Sequence, residues 1–144
     1  MRLGKMMSGE IVVDRPRSHI HGDVMAVLPE VLRSISLTED FGEFEIDTGR
    51  IVGTTSCVEV GPEDDVRLEV RPGRRWPSRV IGGRKPEPCS WVTVVLMRDR
   101  QDRSRAVLIT AYVGRYVGPE DGDPRSTPES KARWATRALI TEES

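Results

Sequence analysis

Two histidines are the most direct candidates for acid–base chemistry in this sequence. They are His19 and His21, the only histidines of the chain, and they lie in the segment RSHIHGD just before a predicted helix. Imidazole is the side chain best suited to give and take a proton near neutral pH. No further Cys/His cluster accompanies the pair, so we expect neither a metal nor a cofactor. The alternative is a solvated pair at the entry to a helix.

A group of arginines around one tryptophan is typical of phosphate binding. The segment RPGRRWPSRV contains Arg74, Arg75 and Arg79 on either side of Trp76. A guanidinium next to an aromatic ring is suited to holding a phosphate and stacking a base. Alternatively, Trp76 covers the core and the aliphatic stems of the arginines lie along it.

Hydroxyl groups occur at two further places. Ser56 lies in GTTSC, where it is a candidate phosphate contact, although strand hydroxyls often bond only to neighbouring backbone. In ITAYVGRY, Thr110 and Tyr112 share one face of a predicted strand and Arg115 follows it. These three residues are a candidate site wall, or else an exposed sheet face.

Cys57 shows no sign of a lowered pKa, so we expect a small buried residue rather than a nucleophile.

The first element expected to position these residues is a helix. Apolar residues from Val24 to Ile35 recur at spacings of three and four, which predicts a helix over Gly22–Ser36. Pro29 should kink or split it. Arg15 and Arg17 lie near its predicted N-terminus, where an anion would be favoured. Residues 37–50 are predicted to be an acidic loop.

After residue 50 the apolar period changes to that of strands. Strands are predicted over residues 51–60, 66–70, 76–81, 91–97 and 106–113. Pro77 favours an edge position for the third strand. The polar connection RDRQDRSR predicts that the last two strands are adjacent and antiparallel. Thr127, Pro128 and Glu129 are typical of a helix start.

Together these elements predict one α+β domain over residues 1–144. Residues 1–14 are expected to be flexible. A helical segment over 15–36, kinked or split at Pro29, should pack on a four- or five-stranded antiparallel sheet within 51–113. A loop over 114–126 and a short C-terminal helix over 127–140 complete the prediction.

Charge is balanced over the whole chain but not along it. Lys plus Arg is 22 and Asp plus Glu is 23 in 144 residues, a net charge of −1. The stretch from Arg67 to Arg105 carries eleven basic and four acidic residues. Clustered cations on a neutral protein indicate a basic face, and the commonest partner of such a face is a phosphate polymer. The alternative is a solvated surface with arginine-rich loops.

The sequence contains no segment expected to direct the chain to a membrane. Its apolar runs are too short to span a bilayer, and the start MRLGKMMSGEIVVDR lacks the apolar region of a signal peptide. Cys57 and Cys89 are far apart and indicate a reducing compartment without disulfides. We therefore expect a cytoplasmic protein without a membrane partner.

The order of these features resembles a known superfamily. A histidine-bearing N-terminal helix, an arginine-rich sheet and a strand ending in TAYVG resemble the barnase/EndoU/colicin/RelE-like superfamily of small metal-independent ribonucleases, many of them toxins. The resemblance covers roughly residues 17–116. It matches His19 to the helix histidine, Thr110 and Tyr112 to the strand end, and Arg79 to the basic residue of the sheet. Val113 stands where a proline is common in that superfamily.

The resemblance implies a metal-independent endoribonuclease, a hydrolase in which the RNA 2′-hydroxyl attacks the neighbouring phosphate. His19 would be the general base or acid, Arg79 would clamp the phosphate, and Thr110 and Tyr112 would orient it. Partners would be RNA, and a protein inhibitor or a second copy of the chain. The alternative is a non-catalytic RNA- or protein-binding module. The expected substrate contacts are His21, Ser56, Arg74, Arg75, Trp76 and Arg115.

Overall fold

The computed structural model describes residues 2–6, 9–13 and 18–141. They form a 3₁₀ helix at Gly22–Ala26 and two α-helices, α1 (Leu28–Leu32) and α2 (Pro128–Trp134). The strands are β1 (Arg2–Met6), β2 (Gly9–Val13), β3 (His19–Ile20), β4 (Phe41–Asp47), β5 (Gly53–Thr55), β6 (Cys57–Glu59), β7 (Arg67–Val70), β8 (Pro77–Ile81), β9 (Glu87–Cys89), β10 (Trp91–Arg98), β11 (Arg105–Val113) and β12 (Arg137–Ile140).

The chain divides into two compact units that alternate along the sequence. Unit 1 comprises Met1–Thr54 and Pro88–Tyr116, and unit 2 comprises Thr55–Glu87 and Val117–Ser144. Unit 1 contains a six-stranded sheet in the order β1-β2-β11-β10-β4, with β3 also paired to β11. Unit 2 contains a four-stranded sheet in the order β6-β12-β8-β7. In the described part of the chain, no helix is long and apolar enough to cross a membrane.

The predicted α+β class is wrong, because the protein is mainly β. Strands account for 41% and helices for 12% of the structure, and in the described residues only α2 reaches seven residues. In place of the predicted N-terminal helix packed on a sheet, the N-terminal strands β1 and β2 are themselves part of the six-stranded sheet. Residues 1–14 were expected to be flexible, yet β2 pairs in parallel with β11 and Ile11 is fully buried.

The apolar stripe predicted to form one long helix is buried, but the backbone divides it. The chain changes from 3₁₀ to α-helix at Val27. Pro29 lies in the first turn of α1, where backbone N–H groups have no acceptor within the helix, so its lack of an N–H costs no helical hydrogen bond. The helical prediction over 15–36 is therefore wrong at its N-terminal end, where β3 begins at His19. Arg15 and Arg17 lie outside the described residues.

The core of unit 1 is the stripe packed on the sheet. Leu28 and Leu32 of α1 belong to the same core cluster as Val94 and Leu96 of β10, and all four are fully buried. The predicted loop at 37–50 contains β4 instead. Its residues alternate between exposed and half-buried, and the half-buried Phe44 packs on this core.

The strongest strand prediction is confirmed. β10 and β11 are antiparallel neighbours, with Val92 opposite Val113 and Arg98 opposite Ala106. The register shifts between Val95 and Leu96, which is where β11 takes up one extra residue. The bulge lies beside Thr110, the residue predicted to line a site.

Unit 2 corrects two predictions near the C-terminus. Thr127 is the N-cap of α2 and exchanges bonds with Ser130 in a capping box, as its sequence predicts. The helix ends at Trp134, however, and residues 137–140 form β12 between β6 and β8. β8 is also central rather than an edge, since Pro77 is its first residue and needs no ladder donor there.

Candidate active site

The two histidines lie alongside the Thr110–Tyr112 segment in unit 1. β3 runs parallel to β11, with His19 opposite Thr110 and Ile20 opposite Ala111. The rings of His21 and Tyr112 are 6.2 Å apart between centroids and nearly perpendicular, at 82°. The structure therefore brings together four of the residues predicted from sequence.

These four side chains share one face of the sheet. Ile20 and Ala111 pack into the core of unit 1, so their neighbours along each strand point to the opposite face. His19 and His21 are exposed, whereas Thr110 and Tyr112 are half-buried. An edge-to-face contact of the kind between His21 and Tyr112 is the geometry that aromatic rings prefer.

Two hydrogen bonds to carbonyl groups of β11 fix β3 in this register. The Ser18 hydroxyl donates to the Leu108 carbonyl, and the His21 N–H donates to the Ala111 carbonyl at 3.0 Å. Because the strand is only two residues long, these bonds at its two ends restrain where the imidazoles project. The histidines were expected to begin a helix, and the short strand is the reason that they lie beside Thr110.

The same face continues across β10 to β4. Thr93 is opposite Tyr112 on one side and Glu45 on the other, and Val95 is likewise between Thr110 and Glu43. Thr93 and Val95 are buried, and the Thr93 hydroxyl donates to the Gly114 carbonyl at 2.8 Å. The accessible polar groups of this face therefore lie at its two sides.

Arg115 belongs to the β4 side of the face. Its Nε is 2.6 Å from Glu45 Oε2, and its guanidinium carbon is 3.8 Å from the centre of the Trp91 ring. The same Glu45 oxygen accepts the Tyr116 N–H at 3.0 Å. Arg115 was predicted to contact substrate, and a phosphate that binds it must compete with Glu45. Sequence analysis missed Glu45, although the alternation in FGEFEID would have placed it on an exposed strand face.

Arg79 lies in unit 2, not in the unit that carries the histidines. Its Nε donates to the Arg137 carbonyl at 3.0 Å and its Nη2 to the Ala135 carbonyl at 3.3 Å. In this position it satisfies carbonyls between the end of α2 and the start of β12. It also lines a pocket of about 350 Å³ together with Asp64 and Val66. Its predicted phosphate contact stays a prediction.

The remaining predicted contacts also lie in unit 2. Arg74 and Arg75 are exposed in the turn between β7 and β8, and Ser56 is exposed between β5 and β6. Trp76 is half-buried, and its indole N–H donates to Glu120 Oε2 at 2.9 Å. That bond is consistent with the alternative in which Trp76 covers the core.

The cysteines are both free. Burial raises the pKa of the Cys57 thiol to about 11, while Arg137 opposes the shift and Glu120 adds to it. A thiol with this pKa carries almost no thiolate at neutral pH, as expected of a structural residue. Within the part of the chain that the structure describes, no group of three or more His, Cys, Asp or Glu side chains is placed to hold a metal ion.

Several arginines of the basic segment are paired with acidic side chains. Arg67 pairs with Glu69, Arg84 with Glu87, and Arg103 with Asp40.

Comparisons with known proteins add no family: no protein-family model matches this chain, and neither a curated protein nor a solved structure matches it significantly.

Proposed function

We propose that the face of unit 1 formed by His19, His21, Thr110 and Tyr112 is the active site of a metal-independent endoribonuclease. The observation that carries this proposal is the pairing of His19 with Thr110 and of His21 with Tyr112 on one face. Cleavage of RNA through its own 2′-hydroxyl needs a base, an acid and donors for the phosphate oxygens. The four side chains supply each of these groups.

The spacing of the histidines suits the two proton transfers. Residues i and i+2 of a strand are about 6.5 Å apart and project to the same side. One neutral imidazole takes the proton of the 2′-hydroxyl as the bond from O2′ to phosphorus forms. The other, protonated, gives its proton to O5′ as the bond from phosphorus to O5′ breaks. The products are a 2′,3′-cyclic phosphate and a free 5′-hydroxyl.

The hydroxyls of Thr110 and Tyr112 serve the phosphate between the two histidines. Each hydroxyl has a proton to donate to a non-bridging oxygen, where negative charge grows in the transition state. Tyr112 has a second role, because its ring contacts the His21 ring edge-to-face. This mechanism uses residues of unit 1 alone and requires no contribution from Arg79.

The proposal is tested by incubating the protein with end-labelled RNA in EDTA. Wild type should release fragments ending in a 2′,3′-cyclic phosphate. His19→Ala and His21→Ala should each slow cleavage by about a hundredfold or more, the usual contribution of an acid–base group. Thr110→Val tests the hydroxyl, and Thr54→Val, at an exposed threonine on β5, is its matched control.

Two results would count against the proposal. One is cleavage that persists at the wild-type rate in both histidine variants. The other is salt-dependent binding of RNA by a folded protein without any turnover, which would indicate the non-catalytic RNA-binding module instead.

A further inference from the structure

The edge strand of unit 2 exposes apolar side chains. β7 is the last strand of its sheet, and Leu68 and Val70 are 68% and 59% exposed. The unpaired N–H and C=O groups of an edge strand are a ready template for pairing with another strand, and exposed apolar side chains favour it. Nothing in the proposed ribonuclease site uses this strand.

The ladder on the other side of β8 determines which backbone groups of β7 face outward. The Ile81 carbonyl accepts the Thr141 N–H on the β12 side, so by alternation the backbone groups of Pro77 also face that side, and Val70 opposite Pro77 is in a non-hydrogen-bonded pair. Hydrogen-bonded and non-hydrogen-bonded pairs alternate along an antiparallel ladder. Glu69 and Arg67 therefore bond to β8, and the N–H and C=O of Leu68 point away from the sheet. Among the described residues, neither group makes a backbone hydrogen bond outside the ladder.

Charges around Leu68 are arranged to complement a second, antiparallel copy of the same strand. Asp65, Arg67, Glu69 and Arg71 alternate in sign, with Leu68 at the centre. In an antiparallel pair centred on Leu68, Arg67 is opposite Glu69 of the other copy and Asp65 is opposite Arg71. Two opposite-charge pairs form within β7, between Arg67 and Glu69 of each copy, and Leu68 meets Leu68. Asp65 and Arg71 flank the strand and bring opposite charges close together at its two ends.

We propose that two copies of the chain associate through β7, joining their four-stranded sheets across a two-fold axis at Leu68. The outward N–H and C=O of Leu68 bond reciprocally to those of its counterpart. The N–H of each Val70 donates to the Val66 carbonyl opposite. Arg67 and Glu69, now 3.5 Å apart within one strand, are released to pair across the interface.

This register pairs opposite charges, whereas the two neighbouring registers that keep the same faces do not. Sliding one strand by two residues in either direction places Arg67 opposite Arg67, or Glu69 opposite Glu69, at the axis. Like charges directly opposite each other on neighbouring strands are destabilising. The same alternation therefore attracts a second copy and disfavours the two adjacent alignments.

The experiment measures the mass of the full-length protein in solution by sedimentation equilibrium over a range of concentrations. Wild type should be a dimer in equilibrium with monomer. Leu68→Lys places two lysines at the axis, and Glu69→Arg places arginines opposite each other. Each should raise the dimer dissociation constant by at least about tenfold. Ile51→Lys, at an apolar residue of unit 1 that is 64% exposed, is the matched control and should not change the constant.

A charge exchange separates this interface from loss of folding. Arg67→Glu combined with Glu69→Arg restores opposite charges across the axis, so the double variant should dimerise more tightly than Glu69→Arg alone. A wild-type protein that stays monomeric at every concentration would overturn the proposal. A dimer that Leu68→Lys and Glu69→Arg leave unchanged would overturn it as well, because another surface would then join the copies.

Discussion

Replacing Glu45 with Gln should strengthen the binding of single-stranded nucleic acid. In wild type the Arg115 Nε lies 2.6 Å from Glu45 Oε2, and the two side chains are 44% and 33% exposed. A pair this exposed contributes about 0–1 kcal/mol, so its loss is tolerated. The amide oxygen of Gln keeps an acceptor for the Tyr116 N–H, and Arg115 becomes free to bind a phosphate while it remains over Trp91.

The magnitude follows from the same pair. Removing a competitor worth up to about 1 kcal/mol should tighten binding up to about fivefold. One additional phosphate contact should steepen the dependence of log K on log salt by about 0.7 for a single strand. Fluorescence anisotropy of a labelled 2′-O-methyl oligonucleotide measures both quantities, since this ligand has no 2′-hydroxyl to cleave with.

The control separates the freed arginine from a general change of charge. Glu43→Gln removes the same charge from the same strand and face, two residues from Glu45. It should leave the salt slope unchanged. Equal effects of the two variants, or weaker binding by Glu45→Gln, would refute a role of Arg115 in phosphate contact.

Three further predictions concern stability and reactivity. Asp123, bonded to Arg125 through side chain and backbone, has a lowered pKa, so its stabilisation is complete above about pH 4 and is lost as pH falls through the folded-state pKa. Asp123→Asn should therefore be less stable than wild type at pH 7 and equal to it in strong acid, as measured by urea unfolding; a difference independent of pH would contradict this. Leu96→Ala should cost about 2–5 kcal/mol in the same assay, whereas Ile51→Ala should cost under about 0.5 kcal/mol. Cys57 should react with iodoacetamide at pH 8 about a hundredfold more slowly than an ordinary thiol, given its pKa of about 11, and peptide mass spectrometry would show rapid labelling if this is wrong.

Local patterns predicted several elements of the fold. The β-branched runs of β10 and β11 and the polar turn between them identify an antiparallel pair. Thr127 and Pro128 identify the start of α2. In these cases the residues that form the element also carry the signal, so no distant contact is needed.

Other elements depend on contacts that the sequence does not display. The segment ALI is predicted from sequence to be the end of a helix. In the structure it forms β12, because it pairs with β6 on one side and with β8 on the other. β3 is too short to show a period, and its place beside β11 is fixed by bonds to Leu108 and Ala111. β4 is different, because the alternation of FGEFEID is visible in the sequence and was outweighed by its acidic residues.

The candidate site was predicted in its parts rather than as a whole. His19, His21, Thr110 and Tyr112 were each identified from their chemistry, but their proximity follows from a parallel pairing between residues 91 positions apart in sequence. Glu45, which competes with a phosphate for Arg115, reaches this arginine only because β4 pairs with β10. Long-range pairing of this kind is what a single sequence does not reveal.

The most direct measurement compares two RNA oligonucleotides that differ at one sugar. The first is all-ribose, and the second has a 2′-deoxyribose at the position where the first is cut. If the 2′-hydroxyl is the nucleophile and His19 and His21 serve it, the protein should cut the first in EDTA and leave the second intact at that position. Cutting of both at the same rate would contradict the account, because the attacking oxygen would then come from elsewhere.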